Sequence, residues 1–466
     1  MTQPGTEGCP LRVAIVGAGP SGFYTAEHLF KRPGLVVEID MFDRLPTPFG
    51  LVRGGVAPDH QKIKSVTKIY HRLASKPNFR FYGNVEIGRH LRLADLRDFY
   101  HQIVFTTGAQ TDRNLGIPGE DLQGSHAATE FVAWYNSHPD YRDLRFNLSG
   151  RRAAVIGVGN VAMDVTRILS RRPEELAQTD IADYALEALR KSEIREVHIL
   201  GRRGPAQAAF TNPEIKELGE LPEVDIVALP EEVELDPLSR ESVERSADKS
   251  LTKKIQILRG YASRQPEGRP RRLMLRFLIS PVELLGDEGG RVRAMRLVRN
   301  ELYATESGVL RPRPTDKFEE LPVDLVFRSV GYRGVPIPDV PFNDKQGVIP
   351  NDKGQVLDPA IGRTMHGLYV AGWIKRGPSG VIGTNKPDAL ETVHSMMEEL
   401  AAGSTPTPSK PETGAVEALL RGRQPRYVSY KDWLRLDEIE TSRGRELGRP
   451  RLKFSRVEDM LAALGR

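Results

Sequence analysis

The sequence has almost no cysteine. Cys9 is the single cysteine among 466 residues, so the chain cannot close an internal disulfide or a CxxC redox pair. Zinc and iron–sulfur sites built from several cysteines are excluded for the same reason. Any redox carrier must therefore be a bound cofactor, and we expect no metal site.

Long apolar runs and a leader pattern are missing as well. No stretch of about eighteen apolar residues occurs, which predicts that nothing in the chain spans a membrane. The opening residues, MTQPGTEGCP, contain neither the basic nor the apolar region of a secretory or transit peptide. We therefore expect a cytoplasmic protein.

The chain also lacks a strong charge of one sign. Its formal net charge is +5, and no segment interleaves aromatic and basic residues, so we predict no nucleic-acid partner. A local basic face that binds an acidic protein fits this balance better. The residues that favour such a face are Lys216, Lys253, Lys254, Arg259 and Arg264.

Glycine, by contrast, is abundant, and it marks an internal repeat. The 43 glycines indicate many tight turns, and the length of 466 residues indicates two or three domains. RVAIVGAGPSGFYTAEHLF begins at Arg12, and RAAVIGVGNVAMDVTRIL begins at Arg152. Each is an apolar run, a glycine turn and a segment with apolar residues at helical spacing, which predicts a strand, a turn and a helix.

Further apolar runs end at or near glycine and are predicted strands; they lie at residues 103–109, 196–204, 323–332 and 367–373. This alternation predicts layered α/β structure. Residues 230–318 predict solvated helices followed by antiparallel strands, including RRLMLRFLIS. The Pro/Ser/Thr-rich stretch after Gly403 predicts a linker, and residues 413–466 predict a surface-covering tail with short helices near 413–422 and 456–464.

The first turn is typical of a dinucleotide site. Gly17, Gly19 and Gly22 form GxGxxG between a predicted strand and a predicted helix. The first glycine permits the turn, the second allows backbone to approach a pyrophosphate, and the third packs helix against strand. The next strand ends in Asp43, whose carboxylate can accept hydrogen bonds from ribose hydroxyls; Asp40 is the alternative.

The second turn differs at the end of its following strand. Gly157, Gly159 and Ala162 form GxGxxA, and the strand EVHIL leads into Arg202 and Arg203 where an acid is usual. Guanidinium groups bind phosphate through charge-assisted hydrogen bonds, whereas a carboxylate repels it. We predict that these arginines bind the 2′-phosphate of NADPH. An acidic first site suits FAD, so the two turns together predict a flavoprotein that oxidises NADPH.

At this level of detail the chain closely resembles the adrenodoxin-reductase-like ferredoxin–NADP⁺ reductases, particularly their bacterial members. The likeness covers about residues 10 to 402. The segments that carry it are PFGLVRGGVAPDHQKIK (48–64), IGVGNVAMDVTRIL, RRGPAQAAFT (202–211), RSVGYRGVPIP (328–338) and AGWIKRGPSGVIGTNK (371–386).

The resemblance implies two Rossmann-like domains of the three-layer ββα type, with the NADP domain inserted into the FAD domain. The FAD domain is expected at residues 1–108 and 332–403, the NADP domain at 109–331, and the linker and helical tail at 404–466. The implied activity is transfer of electrons from NADPH through FAD to a small, acidic ferredoxin-type iron–sulfur protein.

Matching motif positions also imply cofactor contacts. Those to FAD are the first glycine turn with Ala18, then Asp43, Leu51, Val85, Trp373, Gly380, Val381 and Ile382. Those to NADP are Gly159, Asn160, Val161, Arg202, Arg203, Glu214 and Gly380. The family often has Glu where this chain has Asp43, and we expect the shorter acid still to reach the ribose.

His60 and Glu217 are the polar pair that we consider for proton work near the nicotinamide. Hydride transfer mainly needs close approach and exclusion of water, so we interpret both as modulators. Two other functions stay open. One is an NADPH:quinone or diaphorase oxidoreductase, and the other is a non-catalytic redox flavoprotein.

Overall fold

Each of the two repeats forms the predicted strand, turn and helix. In the computed structural model, which describes residues 3–466, Leu11–Val16 leads into Pro20–Phe30, and Arg152–Ile156 leads into Asn160–Ser170. Pro20 is well suited to the first position of its helix, because a backbone N–H at that position would have no hydrogen-bond partner within the helix.

The strands and helices are numbered here in chain order. The strands are β1 (Leu11–Val16), β2 (Val37–Phe42), β3 (Phe79–Gly83), β4 (Gln102–Phe105), β5 (Thr111–Asp112), β6 (Ser125–Ala127), β7 (Arg152–Ile156), β8 (Glu196–Gly201), β9 (Val224–Ala228), β10 (Arg271–Phe277), β11 (Ile279–Gly286), β12 (Val292–Ala304), β13 (Leu310–Pro322), β14 (Leu325–Arg328), β15 (Tyr332–Arg333), β16 (Asn351–Asp352), β17 (Gln355–Leu357), β18 (Thr364–Val370) and β19 (Val428–Ser429). The helices are α1 (Pro20–Phe30), α2 (Leu51–Gly54), α3 (Gln61–Lys64), α4 (Thr67–Ala74), α5 (Leu93–Phe99), α6 (Ala128–Tyr135), α7 (Asn160–Ser170), α8 (Pro173–Leu176), α9 (Asp183–Arg190), α10 (Asn212–Leu218), α11 (Pro230–Val233), α12 (Pro237–Ser246), α13 (Lys249–Ser263), α14 (Trp373–Arg376), α15 (Asn385–Ala401), α16 (Ala415–Arg423), α17 (Tyr430–Glu446) and α18 (Val457–Ala463).

The chain divides into two units, the second inserted into the first. Of the described residues, the first unit takes those up to Thr111, then Asn136–Pro139 and Gly331–Arg466. The second unit comprises Asp112–Tyr135 and Asp140–Val330. Which cofactor each unit binds stays a prediction.

A mostly parallel sheet organises the first unit. Strands β18, β4, β1, β2 and β3 lie side by side and parallel, while β16, β17 and β19 add antiparallel edges. Val13 and Ile15 pack into the core on one face of this sheet, and Ala14 and Val16 pack on the other. A parallel strand buried on both faces explains why β1 reads as a continuous apolar run.

The second unit has three layers. Its parallel sheet has the order β6, β14, β7, β8, β10, β9. Ala153 and Val155 of β7 face the helical layer, while Ala154 and Ile156 face the antiparallel sheet β11–β12–β13. This confirms the predicted α/β class with Rossmann-like units. One detail was wrong, since β10, read as part of an antiparallel meander, pairs in parallel with β8 and β9.

The C-terminal residues are an integral part of the first unit. The stretch predicted as a linker is held in place, because Arg12 donates to the Pro411 carbonyl (2.9 Å) and Thr413 donates to Glu38 (3.0 Å). Beyond it, α16 and α18 correspond to the two expected short helices, but α17 and β19 were not predicted. Among the described residues, no helix is both long and apolar enough to cross a bilayer.

Candidate functional site

The first glycine turn joins β1 to α1. Gly17 has φ +110°, and a Cβ there would lie 2.7 Å from the Thr106 carbonyl oxygen. A Cβ at Gly22 would lie 2.4 Å from the Gly17 oxygen, so both positions require glycine for packing. A Cβ at Gly19, by contrast, would meet nothing nearer than 4.0 Å. The space at the N-terminus of α1 is therefore open, as binding of a pyrophosphate there requires.

The second glycine turn, between β7 and α7, repeats this arrangement. Gly157 has φ +134°, and a Cβ there would lie 2.2 Å from the Ser329 carbonyl oxygen. A Cβ at Gly159 would meet no atom within 4 Å. Ala162 is fully buried and packs the helix on the sheet. Gly159 caps α7 without a side-chain hydrogen bond, so backbone N–H groups at this helix end are available to an anion.

Asp43 lies directly after β2, beside the first turn. Its carboxylate accepts the N–H groups of Ala18 and Leu45, each at 2.9 Å, and its carbonyl accepts the N–H of Val85 (2.9 Å). Burial raises the pKa of Asp43, although the two backbone donors oppose that shift. Asp43, the acid predicted to bind the ribose, is thus hydrogen-bonded to the glycine turn predicted to bind the pyrophosphate of the same cofactor.

Asp40, the alternative acid, has a structural role. It is fully buried and accepts hydrogen bonds from Tyr100 (2.6 Å), Arg12 (3.2 Å) and Arg80 (2.5 Å). A buried carboxylate needs such partners to offset desolvation. Because both Asp40 oxygens are occupied within the sheet, we retain Asp43 as the proposed ribose contact.

A short loop places Leu51 next to the first turn. Phe49 donates its N–H to the Ala18 carbonyl (2.7 Å), and a Cβ added at Gly50 would lie 2.9 Å from the Cα of Gly19. Leu51 begins α2 and leaves 39% of its surface exposed, whereas the Val85 side chain is buried. A contact from Val85 to a cofactor would therefore come from its backbone.

The segment from Trp373 to Ile382 also belongs to the first unit. The Trp373 ring is partly buried, packs 5.4 Å from the Tyr332 ring between centroids, and donates its Nε1–H to the Ser379 carbonyl (3.1 Å). Gly380 has φ +78°, and Val381 is half exposed. Ile382 is partly buried against the core that contains β1 and α1.

This segment is tied to the start of α1. The Ser21 hydroxyl, on α1, lies 3.1 Å from the Asn385 side-chain oxygen, on α15. The first unit therefore brings the residues predicted to bind FAD close to one glycine turn.

Arg202 and Arg203 follow β8 directly. Within the described part of the chain, neither guanidinium group has a hydrogen bond or an ion pair, and Arg203 is half-buried. Burial, with the charge of Arg202 adding to it, lowers the pKa of Arg203. Two adjacent cations without a protein anion form a site that a phosphate group would complete.

The backbone of this arginine pair is held more firmly than its side chains. The Asn300 side chain donates to the Arg202 carbonyl (2.9 Å), and the Leu278 N–H donates to the Arg203 carbonyl (3.1 Å). Asn300 is not predicted from the sequence. It is a single amide in a strand of alternating charged residues, and nothing in that pattern distinguishes it from its neighbours.

Glu214 and Glu217 lie on α10, facing α7. The fully buried Arg167 of α7 pairs with Asp164 (2.6 Å), Glu214 (3.1 Å) and Glu217 (3.7 Å), and Arg171 lies 4.0 Å from Glu217. This network fixes both glutamates beside the helix that follows the second glycine turn. Asn160, at the start of α7, accepts the N–H of Thr211 (2.9 Å), and Val161 is partly buried.

His60 lies in the first unit, immediately before α3, and donates its backbone N–H to the Ala57 carbonyl (3.0 Å). Glu217 lies in the second unit. Their predicted cooperation near a nicotinamide stays a prediction.

The proposed basic face is weaker than the composition indicates. Only Lys253 among its residues is exposed and without a polar partner in the described chain. The other four have local partners: Lys216 pairs with Glu220 (3.3 Å), Arg259 pairs with Glu234 (3.5 Å), Lys254 donates to the Ala208 carbonyl (2.6 Å), and Arg264 stacks on Tyr261 (4.6 Å).

Comparison with known proteins places this geometry in a family. Residues 11–217 match the family model described as pyridine nucleotide-disulphide oxidoreductase. The chain is 47% identical to the NADPH-ferredoxin reductase FprA of Mycobacterium tuberculosis, over 97% of this chain and 98% of that protein. It is 41% identical to the mitochondrial NADPH:adrenodoxin oxidoreductase of Homo sapiens, over 97% of this chain and 92% of that protein. The chain belongs to the adrenodoxin-reductase-like ferredoxin–NADP⁺ reductases.

A solved structure agrees with this assignment. The structure of Mycobacterium tuberculosis FprA in complex with NADPH matches with a TM-score of 0.91 at 46% identity, covering 98% of this chain and 100% of that one. The resemblance drawn from the sequence motifs is confirmed. Disulphide chemistry, which the family model's description mentions, would need a cysteine pair that this reductase lacks, since Cys9 is its only cysteine.

Proposed function

We propose that the protein is an FAD-dependent ferredoxin–NADP⁺ reductase that takes hydride from NADPH and passes single electrons to a ferredoxin-type iron–sulfur protein. One observation carries the proposal. Each unit contains an open glycine turn before an uncapped helix, but one turn is joined to the acid Asp43 and the other precedes the unpaired cations Arg202 and Arg203. Two different adenine dinucleotides fit these two surroundings.

The first unit has the residues for FAD. The proposed contacts are Gly17, Ala18, Gly19 and Gly22 at the pyrophosphate, Asp43 at the ribose, and Leu51, Val85, Trp373, Gly380, Val381 and Ile382 around the remainder. The open space beside Gly19 is the cradle that supports this fit. When bound, FAD accepts a hydride and releases electrons one at a time.

The second unit has the residues for NADPH. Gly159, Asn160 and Val161 present backbone N–H groups to the pyrophosphate, and Arg202 and Arg203 bind the 2′-phosphate. Glu214 is held by Arg167 at the neighbouring helix, where its carboxylate can accept a ligand hydrogen bond.

His60 and Glu217 adjust the surroundings of the nicotinamide and are not obligatory proton donors. Hydride transfer requires positioning and exclusion of water, which the surrounding side chains supply. The Glu217 carboxylate lies 3.7 Å from the Arg167 guanidinium and 4.0 Å from that of Arg171, and these two cations hold it in place on α10.

The electron acceptor is a separate protein, because one cysteine cannot hold an iron–sulfur cluster. A ferredoxin with an acidic surface fits a protein of net charge +5, and within the described residues Lys253 is the cation of the proposed docking face that is both exposed and unpaired.

Rapid mixing of the purified protein with NADPH tests the proposal. We expect prompt loss of the visible flavin absorption, followed by cytochrome c reduction that depends on added ferredoxin. Absence of bleaching would indicate a non-catalytic flavoprotein. Quinone reduction that is faster than ferredoxin reduction would favour the diaphorase alternative.

We also propose a cytoplasmic location, which the single cysteine favours because secreted proteins commonly rely on disulfides. Fractionation of the source cells with an antibody to the protein tests this. Recovery from a membrane or extracellular fraction would contradict it.

A further inference from the structure

Helix α17 places a buried acid behind the loop that carries Leu51. Glu440 is fully buried, and its oxygens accept two hydrogen bonds from Arg53, at 2.7 and 2.5 Å. Arg451 (3.1 Å) and the N–H of Phe454 (2.8 Å) complete its partners. Burial alone would raise the pKa of Glu440, but Arg53 and Arg451 outweigh burial and lower that pKa.

Arg53, on α2, is held at three points by the C-terminal segment. Its guanidinium pairs with Glu440 and lies over the Trp433 ring, 5.1 Å from the centroid. Its backbone carbonyl accepts a hydrogen bond from Lys453 (3.1 Å), whose amine also bonds to Asn136 (3.2 Å). The side chain and the backbone of Arg53 are therefore both fixed from one side.

The other side of the same loop touches the first glycine turn. Phe49 and Gly50 have φ values of +84° and +47°, and the Phe49 ring contacts the Trp433 ring at 5.7 Å. A non-glycine residue at positive φ is strained and persists only where its surroundings fix it. The loop is thus held in an unfavourable backbone conformation, with Leu51 partly exposed beside Gly19.

We propose that Glu440 and Arg53 are a positioning pair for FAD. They fix the loop of residues 49–55 so that Leu51 and the first glycine turn form one cofactor-binding surface. The C-terminal segment thereby acquires a role in cofactor binding. This inference rests on the proposed function, because it takes the first unit as the FAD site.

The chemistry of the contact favours positioning over simple stabilisation. A planar guanidinium bound through two nitrogens fixes direction as well as distance, which a single apolar contact does not. Buried ion pairs contribute little net stability compared with apolar packing, so orientation is the property that this pair adds.

Two variants in the full-length protein test the proposal. Glu440→Gln removes the charge at nearly constant shape, and Arg53→Lys keeps a cation opposite Glu440 but loses the two-pronged contact. Arg423→Lys is the matched control, because Arg423 also lies in the C-terminal segment and pairs with a carboxylate, that of Asp95 (2.6 Å), but bonds to neither Arg53 nor Glu440. Arg53→Lys decides the question if Glu440→Gln does not fold.

The readouts are the FAD dissociation constant of the apoprotein, the visible circular dichroism of the bound flavin, and the affinity for adenosine 2′,5′-bisphosphate. We expect FAD binding to weaken by roughly ten- to a hundredfold, which is the size of the effect of losing one charge-assisted hydrogen bond. The flavin spectrum should change, while the bisphosphate affinity and the Arg423→Lys variant should match wild type.

Wild-type FAD affinity and an unchanged flavin spectrum in folded Arg53→Lys and Glu440→Gln would overturn the positioning role. So would equal losses for FAD and for the bisphosphate, which would indicate general destabilisation. A wild-type protein that binds no FAD would instead overturn the proposed function itself.

Discussion

Removing the two guanidinium groups after β8 tests the coenzyme assignment directly. In the Arg202→Ala, Arg203→Ala double variant, the proposed 2′-phosphate site loses both of its cations. Charge-assisted hydrogen bonds contribute about 1.5–3 kcal/mol each, so two lost contacts weaken NADPH binding by about a hundredfold or more. NADH has no 2′-phosphate, and its binding should change little.

The two arginines should contribute unequally. Arg202 is exposed, so solvent and salt screen its charge, whereas Arg203 is half-buried. Burial, with the charge of Arg202 adding to it, lowers the pKa of Arg203, and a bound phosphate would relieve the repulsion between the two cations. We therefore expect Arg203→Ala to weaken NADPH binding more than Arg202→Ala does.

Asn300 gives an indirect perturbation of the same turn. Asn300→Ala removes the amide that donates to the Arg202 carbonyl at 2.9 Å and leaves both guanidinium groups in the sequence. We expect a smaller rise in the Michaelis constant for NADPH, and no further rise when Asn300→Ala is added to the double variant.

The assay is steady-state reduction of ferricyanide with NADPH or NADH as donor, supported by calorimetric titration with adenosine 2′,5′-bisphosphate. The ratio of the two Michaelis constants separates the contribution of the 2′-phosphate to binding from any general effect on the fold. Equal changes for NADPH and NADH in the double variant would refute the assignment of these arginines.

Three other predictions concern different parts of the chain. Gly157→Ala should lower the melting temperature strongly, because its Cβ would lie 2.2 Å from a carbonyl oxygen. Gly159→Ala has open space around it, so it should leave the melting temperature unchanged and weaken NADPH binding. Equal melting temperatures for the two variants would contradict this. Burial and, to a smaller extent, the charge of Arg12 lower the pKa of His101 from 6.5 to about 4. The folded state therefore favours neutral His101, and the free energy of unfolding should fall as pH drops from 6.5 towards 4. His101→Asn should reduce that loss in urea unfolding, and identical pH slopes would speak against it. The Michaelis constant for ferredoxin should rise with ionic strength if docking is electrostatic, and a flat dependence would exclude such docking.

The sequence was most informative where the physical requirement is local. Gly17 and Gly157 both have positive φ and lie against carbonyl oxygens, so each turn needs glycine at a fixed position between strand and helix. Strands buried on both faces likewise appear as short apolar runs, and β1 and β7 were predicted for this reason.

Contacts between distant residues could not be predicted in this way. Arg53 and Glu440 are 387 positions apart, and neither the glycine-rich loop around Arg53 nor the charged helix around Glu440 has a local pattern that indicates the partner. The composition of residues 404–414 likewise predicts a linker, but it carries no sign that Arg12 donates to the Pro411 carbonyl. The composition of a segment indicates whether it is flexible in isolation, but the residues that hold it in the folded protein lie elsewhere in the chain.

The choice between Asp40 and Asp43 shows how a difference of three positions separates a structural acid from the proposed ribose contact. Asp40 lies within β2, so its carboxylate is surrounded by neighbouring strands and pairs with Arg12 and Arg80. Asp43 lies one residue beyond the strand, where its carboxylate reaches the N–H of Ala18 in the glycine turn. Strand ends are uncertain by a few residues from sequence alone, which is why both acids had to be considered.

The two units also show how one backbone design can serve two cofactors. Both place an open glycine at the start of an uncapped helix, so the pyrophosphate site is the same in each. On the proposed assignment, selectivity lies at the end of the next strand, where Asp43 would accept ribose hydroxyls and Arg202 with Arg203 would bind a phosphate. The Asp43 carboxylate would repel a 2′-phosphate, whereas the arginine pair would bind NADPH more tightly than a dinucleotide without that phosphate, so one or two side chains would distinguish the cofactors.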